Sequence, residues 1–79
     1  MNIIVYSTPT CPYCHVAKEY LKSKGADFED VDVSKDQKRA EEMIKKSGQM
    51  GVPVLDINGK IIIGFNKREI DEALKKQGG

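Results

Sequence analysis

Residues 3–25, IIVYSTPTCPYCHVAKEYLKSKG, contain the features that decide the fold. The first four residues are a short apolar run, which predicts a buried β-strand. Pro12 suits the first position of a helix, and Gly25 supplies its end. The apolar residues between them recur at helical spacing: Val16, Ala17, Tyr20 and Leu21. Both cysteines of the chain, Cys11 and Cys14, lie where the predicted strand gives way to the helix.

The middle of the chain predicts a second strand and a second helix. In FEDVDV (28–33), valines alternate with aspartates, which is typical of a half-buried strand. Ser34 and Gln37 resemble a capping box, which places the N-cap of a second helix at Ser34. That helix ends near Gly48. Its apolar stripe consists of Ala40, Met43 and Ile44.

The last third of the chain predicts a β-hairpin and a third helix. VPVLDINGKIIIGF (52–65) contains two strand-like runs around Asn58-Gly59, a dipeptide that strongly favours a tight hairpin turn. Asn66, with Glu69 three residues later, starts the third helix. Three apolar residues form its buried face: Ile70, Ala73 and Leu74.

These elements follow the order βαβ, then α, then ββα. No repeat or linker divides the chain, so residues 1–79 are expected to form a single domain. A right-handed crossover makes the first two strands parallel, and the hairpin adds two antiparallel strands. The sequence therefore predicts an α/β fold in which a four-stranded mixed sheet is flanked by three helices.

Composition narrows the possible functions. The formal net charge is +1, with acids and bases interspersed, which argues against nucleic-acid binding and against an anionic-membrane patch. No apolar run approaches the roughly 20 residues that span a bilayer. The first residues, MNIIVYS, lack the basic region of a signal peptide. We expect a soluble, cytoplasmic protein whose thiols are kept reduced, and we expect it to be a monomer.

The position of the two cysteines favours thiol–disulfide exchange. Cys11 lies at the start of the first helix, where free N–H groups and the helix dipole favour an anion. The thiolate is the form that attacks disulfides. Cys14, three residues later, shares a helix face with Cys11 and lies within reach of a disulfide bond. We therefore assign Cys11 as the attacking thiol, Cys14 as the resolving thiol, and Cys11–Cys14 as a redox-active disulfide.

Metal-binding alternatives fit the sequence less well. A zinc site needs four ligands, and the chain has no further cysteine beyond this pair and only one histidine, His15. The sequence C-x-x-C-H also matches a c-type haem attachment site, although haem is attached after export and needs a large apolar pocket. An iron–sulfur cluster that bridges two chains is a further alternative. We expect no tightly bound metal or cofactor, and we expect His15 to be a partly exposed helix residue.

Three segments resemble the glutaredoxin family of the thioredoxin-fold superfamily over nearly the whole chain. TCPYC (10–14) is the glutaredoxin form of the dithiol motif, and GVPVLDI (51–57) is similar to the family's T-V-P segment. The resemblance implies a cis peptide bond before Pro53, which would face the dithiol and leave the Val52 backbone free to bind a substrate peptide. IIGF (62–65) matches the family's glycine motif in part, and Gly64 would let a ligand backbone come close.

The resemblance also implies an activity and a set of binding residues. Glutaredoxins use glutathione as co-substrate to reduce disulfide-containing and glutathionylated proteins. By this resemblance Cys11 accepts the glutathionyl group, and Tyr13 and the Val52 backbone hold it. The remaining predicted binding residues are Pro12, Pro53, Gly64, Phe65, Asn66, Lys67 and Arg39. Among these, the N–H groups of Asn66 and Lys67 would bind the γ-glutamyl carboxylate, and Arg39 or Lys38 would meet the glycyl carboxylate.

Three departures from the family pattern resemble a related class of redoxins. Thr8 and Pro9 stand near the position where many glutaredoxins have a lysine, and Gly51 replaces the threonine of T-V-P. Asn66 and Lys67 replace an acidic pair that often holds the γ-glutamyl amine. Redoxins that serve ribonucleotide reductase share such features and draw electrons from a flavin thioredoxin reductase. The resemblance therefore leaves thioredoxin reductase as an alternative partner to glutathione.

Overall fold

Seven elements follow one another along residues 2–78, the part of the chain that the computed structural model describes. The strands are β1 (Ile3–Ser7), β2 (Glu29–Asp32), β3 (Val54–Ile57) and β4 (Lys60–Ile63). The helices are α1 (Pro12–Ser23), α2 (Gln37–Ser47) and α3 (Lys67–Gly78). Their order is the predicted βαβ-α-ββα. Within the described range, no helix has both the length and the apolar composition needed to cross a membrane.

The strands form one mixed sheet in the order β2-β1-β3-β4. β1 runs parallel to β2 and antiparallel to β3, so that Val5 lies opposite both Asp30 and Leu55. β3 and β4 form the predicted hairpin. At its turn Asn58 and Gly59 have φ of 50° and 96°, the left-handed conformation that a tight hairpin requires of both residues. β2 and β4 are the edges of the sheet.

The alternation of side chains along the strands divides the core into two layers. One layer packs α1 and α3 on the sheet and contains nine buried residues: Ile3, Val5, Ala17, Leu21, Leu55, Ile57, Ile62, Ile70 and Ala73. The other layer packs α2 on the opposite face and contains four: Tyr6, Val31, Met43 and Val54. Because the central strands β1 and β3 contribute to both layers, they are the most deeply buried part of the sheet.

The start of α2 corrects one sequence prediction. Asp36, and not Ser34, is the N-cap residue, because its carboxylate accepts a hydrogen bond from the Arg39 N–H at 3.2 Å. Ser34 instead lies in a turn closed by Asp32, whose Oδ1 accepts from the Ser34 N–H at 2.9 Å and from its hydroxyl at 2.5 Å. The predicted end is confirmed, since Gly48 adopts the left-handed conformation after the last turn.

The apolar stripe of α1 is narrower than predicted. Ala17 and Leu21 are fully buried and Tyr20 is half-buried, but Val16 is 46% exposed. Val16 lies at the border of the helix face that meets the sheet, and the helical period alone does not decide on which side of such a border a residue falls.

Candidate active site

Cys11 is the N-cap residue of α1, in an extended conformation with φ of −93° and ψ of 111°. Pro12 follows at the first helical position, as predicted. The Cys11 sulfur accepts a hydrogen bond from the Cys14 N–H, with an N–Sγ distance of 3.3 Å. An N–H group that points at the sulfur, together with the positive end of the helix, stabilises negative charge on it. Cys11 is also partly exposed, so a disulfide in solution can reach it.

Cys14 differs sharply from Cys11 in its surroundings. It is fully buried on the inner face of α1, and both cysteines are free thiols in this structure. Burial, and then the hydrogen bond with Cys11, raise the pKa of the Cys14 thiol to about 12. Cys14 is the less exposed of the two cysteines.

The segment before β3 faces the dithiol. The Val52–Pro53 peptide bond is cis, as the family resemblance implied. The Cys11 thiol donates to the Val52 carbonyl oxygen at 3.8 Å. The Gly64 N–H donates to the Pro53 carbonyl at 2.8 Å, which ties the end of β4 to the same place. Residues far apart in the sequence therefore meet at the N-terminal end of α1.

Gly64 and Phe65 follow β4 at this end of the sheet. Gly64 has φ of 76°, and a Cβ added there would meet no atom within 4 Å. The left-handed backbone conformation therefore accounts for this glycine by itself. Phe65 is half-buried and packs edge-on against the Tyr20 ring, with ring centroids 5.7 Å apart. In this structure Phe65 borders the layer formed by α1 and α3.

Asn66 and Lys67 begin α3, as predicted. The Asn66 side chain caps the helix by accepting a hydrogen bond from the Glu69 N–H at 3.1 Å. The Lys67 ammonium lies over the Tyr20 ring, 5.6 Å from its centroid. The Tyr20 hydroxyl donates to Asp71, and this bond is the main reason that the pKa of Tyr20 is raised to about 12. The Lys67 ammonium of α3 therefore lies against the Tyr20 ring of α1.

Two further predicted binding residues have very different environments. Tyr13 is 66% exposed beside Pro12, so its ring is free to contact a ligand. The Arg39 guanidinium forms ion pairs with Glu29 at 3.1 Å and with Glu42 at 3.4 Å. These contacts place it against the beginning of β2, whereas Cys11 follows the end of β1, which runs parallel to β2. The structure does not bring Arg39 to the dithiol, because two nearby carboxylates already hold its side chain.

Several residues around the dithiol were missed by the sequence analysis. Lys18 lies one helical turn after Cys14 and forms an ion pair with Asp30 of β2 at 3.0 Å. Asp30 also accepts a hydrogen bond from the buried Ser7 hydroxyl at 2.9 Å. The spacing of Lys18 from Cys14 was visible in the sequence, but its partner on β2 was not. The structure also exposes two apolar side chains beside the Val52–Pro53 and Gly64 segments, Met50 (79%) and Ile63 (50%).

The metal-binding alternatives gain no further ligands from the described residues. Within residues 2–78, no three histidine, cysteine, aspartate or glutamate side chains converge as a metal site would require. His15 is exposed, as expected, and its Nε2 lies 3.2 Å from the Pro9 carbonyl oxygen. The expected absence of a tightly bound metal stays a prediction.

Comparisons with known proteins agree with this architecture. The glutaredoxin family model matches residues 3–62. An uncharacterized glutaredoxin-like 8.6 kDa protein in the rubredoxin operon of Clostridium pasteurianum is 60% identical over 74 residues, which cover 94% of this chain and 99% of that protein. Glutaredoxin 3 of Escherichia coli K12 is 43% identical over 63 residues, covering 80% of this chain and 76% of its own.

A solved structure shows the same fold. The glutaredoxin-like protein NrdH-redoxin from Escherichia coli, described as having a thioredoxin-like activity profile, superposes with a TM-score of 0.82. It is 28% identical in sequence, and the superposition covers 91% of this chain and 93% of that protein.

Proposed function

The chain belongs to the glutaredoxin family, and from that membership we propose that it is a dithiol oxidoreductase that reduces protein disulfides and glutathione mixed disulfides. The observation that carries the proposal is the contrast between its two sulfurs. Cys11 is accessible and receives an N–H hydrogen bond, whereas Cys14 is buried beside it. Such a pair has one thiol suited to attack a disulfide in solution and one suited to act only after the first has reacted.

The proposed reaction has two exchange steps. The Cys11 thiolate attacks one sulfur of a substrate disulfide, a new bond forms at Cys11, and the other substrate sulfur leaves as a thiolate that takes up a proton. Cys14 then loses its proton to solvent and attacks the Cys11 sulfur, so that the second substrate thiolate leaves. The substrate disulfide is reduced by two electrons, and the dithiol becomes the Cys11–Cys14 disulfide.

Glutathione is the proposed reductant of that disulfide. Its glutathionyl group would lie between the exposed Tyr13 ring and the Val52 backbone, both of which flank Cys11. Its γ-glutamyl carboxylate would accept from the N–H groups of Asn66 and Lys67, where α3 begins. We propose that the protein has no tightly bound cofactor, because the reaction needs only the dithiol and a diffusing thiol. We also propose that it acts as a monomer in the cytoplasm.

A thioredoxin reductase is the second candidate donor. It is favoured by Lys67, which brings a positive charge to the place where many glutaredoxins attract the ammonium group of glutathione with a carboxylate. The similarity to NrdH-redoxin, with its thioredoxin-like activity profile, also supports this alternative. Under this proposal the same dithiol passes electrons from a flavin enzyme to ribonucleotide reductase or a peroxidase.

Replacing each cysteine in turn tests the proposed reaction. Cys11→Ser is expected to abolish all exchange, because it removes the attacking sulfur. Cys14→Ser is expected to keep reducing glutathione mixed disulfides, which need one protein thiol and a second glutathione, and to lose activity on protein disulfides. Both activities are measured with glutathione and glutathione reductase, with circular dichroism as the control for folding. Equal loss of both activities in folded Cys14→Ser would overturn the assignment of roles.

A comparison of electron donors separates the two candidates. One mixed-disulfide substrate is reduced with glutathione plus glutathione reductase and, separately, with thioredoxin reductase. Measurable turnover with glutathione supports the glutaredoxin activity, and its absence beside fast turnover with thioredoxin reductase supports the redoxin activity.

A visible spectrum of the purified protein tests the cluster-bridged dimer, because a dithiol enzyme is colourless and an iron–sulfur protein is not.

A further inference from the structure

The second exchange step places a demand on Cys14. Its thiol must ionise before it can attack the Cys11 sulfur, although the side chain is fully buried. A nearby positive charge would favour that ionisation by stabilising the thiolate. The surroundings of Cys14 contain one.

Lys18 lies on the same face of α1 as Cys14. The two residues are four positions apart, so their side chains are neighbours on consecutive turns of the helix. Only 16% of the Lys18 side chain is exposed, which shows that it lies against the protein and does not extend into solvent. A charge in this partly buried position is screened less than one at the surface.

Asp30 holds the Lys18 ammonium in place, and Ser7 in turn holds Asp30. Asp30 Oδ2 accepts from the ammonium at 3.0 Å, and Asp30 Oδ1 accepts from the Ser7 hydroxyl at 2.9 Å. Ser7 is 2% exposed and ends β1, immediately before the loop that leads to Cys11. The side-chain hydrogen bonds from Ser7 to Asp30 and from Lys18 to Asp30 therefore connect the end of β1 to the face of α1 that contains Cys14.

The charged groups near Cys14 determine whether charge interactions raise or lower the pKa of its thiol. α1 contributes Cys11 and Lys18, and the Lys18 charge lowers the pKa of Cys14 against the larger opposing effect of burial. β2 contributes Asp30, which forms an ion pair with Lys18, and Asp32, whose pKa the Lys18 charge lowers slightly. β1 and α3 contribute apolar residues, such as Val5 and Ile70, to the layer in which Ala17 and Leu21 of α1 are buried. A backbone hydrogen bond from Thr8 and, to a smaller extent, the Lys18 charge lower the pKa of Cys14, and Lys18 is the cation among these groups.

We propose that Lys18, held by Asp30 and Ser7, is a positioning residue that stabilises the Cys14 thiolate while it attacks the mixed disulfide at Cys11. This inference rests on the proposed two-step exchange. In that step the Cys14 proton passes to water, the Cys11–Cys14 bond forms, and the bond between Cys11 and the substrate sulfur breaks. The substrate thiolate leaves and takes up a proton. Lys18 keeps its own proton throughout and acts only by its charge.

Ellman's reagent separates the two steps. With one reagent molecule per reduced protein, attack by Cys11 releases the first coloured thiolate, and attack by Cys14 releases the second. Stopped-flow absorbance is recorded for the wild type, Lys18→Gln and Lys18→Arg across a range of pH. Lys22→Gln is the matched control, because Lys22 is an exposed lysine on the same helix.

Lys18→Gln is expected to leave the first phase unchanged and to slow the second about tenfold at neutral pH, the equivalent of about one pKa unit. The pH profile of the second phase should move to higher pH by a similar amount. Lys18→Arg should restore most of the rate, since it keeps the charge, and Lys22→Gln should match the wild type. A purely structural role for Lys18 would slow the second phase without moving its pH profile.

Two outcomes would overturn the inference, and they differ from a failure of the proposed function. A second phase with an unchanged rate and pH profile in Lys18→Gln would show that Lys18 does not act on Cys14. The same loss in both Lys18→Gln and Lys18→Arg would show that the charge is not the cause. If the wild type itself gives only one phase, the two-step exchange fails and the role of Lys18 fails with it.

Discussion

The two cysteines show how one helix turn places the same side chain in two different environments. Cys11 caps the helix with its sulfur open to solvent, and the next turn carries Cys14 into the layer between α1 and the sheet. The side chains are chemically identical, and only burial and hydrogen bonding distinguish them. Residue identity therefore sets what chemistry is available, and under the proposed function the position on the helix decides which sulfur acts first.

The raised pKa of Cys14 makes the stability of the reduced protein depend on pH. The thiol keeps its proton in the folded state up to a pH of about 12 but ionises in the unfolded chain near its ordinary value of 9.0. Below pH 9 both states are protonated and Cys14 contributes no pH dependence. Above pH 9 the unfolded state binds fewer protons, so the free energy of unfolding falls by up to about 1.4 kcal/mol per pH unit.

Urea unfolding of the reduced wild type and of Cys14→Ser at several pH values measures this effect. The variant keeps every other titrating group, so the difference between the two curves isolates Cys14. The wild type is expected to lose stability relative to the variant as pH rises above 9. If the free energies of unfolding of the two proteins changed in parallel between pH 8 and 10, the raised pKa of Cys14 would be contradicted.

The positive charge of Lys67 at the start of α3 is expected to weaken the binding of glutathione. The Lys67 ammonium lies over the Tyr20 ring, so it opposes an incoming ammonium group only moderately. Lys67→Asp removes that charge and adds a carboxylate that would attract the γ-glutamyl amine of glutathione in the proposed complex. We expect kcat/KM with glutathione to rise several-fold, on the order of 1 kcal/mol, mostly through KM.

Steady-state kinetics with glutathione reductase measure this change. Lys45→Asp makes the same change of charge on the exposed face of α2 and is expected to leave the kinetics unchanged. An equal gain in both variants would point to net charge, and no gain in Lys67→Asp would remove the γ-glutamyl group from the start of α3.

At the scale of the element, α2 shows how a short side chain fixes the beginning of a helix. Asp32 closes a turn around Ser34, and Asp36 then caps the helix through the Arg39 N–H. Two residues that both favour N-caps stand two positions apart, and only one of them has an N–H of the first helical turn within reach. The turn at Asp32 orients Ser34 away from that role.

Replacing each candidate cap tests this arrangement. Asp36→Ala is expected to lower the free energy of unfolding by about 1 kcal/mol, because it leaves an N–H of the first turn without its acceptor. Ser34→Ala is the matched control and is expected to cost less, since it removes only an exposed hydroxyl contact with Asp32. Denaturant unfolding measures both values. A larger loss for Ser34→Ala would return the cap to the residue predicted from the sequence.

At the scale of the whole molecule, the sheet order explains how the site is assembled. β1 and β3 are neighbours, so the loop after β1 and the Val52–Pro53 segment before β3 lie at the same end of the sheet. The Gly64 N–H bond to Pro53 brings the end of β4 to that end as well. The dithiol thus faces residues separated from it by about half the chain.

Local patterns were enough to predict most of the elements and the dithiol. Pro12, Asn58-Gly59 and Asn66 act through their own backbone or the next few residues, and their predictions were confirmed. The prediction that Ser34 is the N-cap of α2 was wrong, because Asp36, two positions later, is also a residue type that favours N-caps. The local pattern could not anticipate contacts made by residues distant in the sequence, such as the pairing of Arg39 with Glu29.

The two edges of the sheet differ in their protection against aggregation. An edge strand presents unpaired N–H and C=O groups that another molecule can extend into a larger sheet, and charged side chains hinder such growth. Three of the four residues of β2 are acidic. β4, in contrast, consists of Lys60 and three isoleucines, and the last of these, Ile63, is half exposed. We therefore expect concentrated solutions to associate through β4 and Ile63→Lys to suppress the resulting light scattering. Met50→Lys adds the same charge away from any strand, and equal suppression by it would exclude β4 as the growing edge.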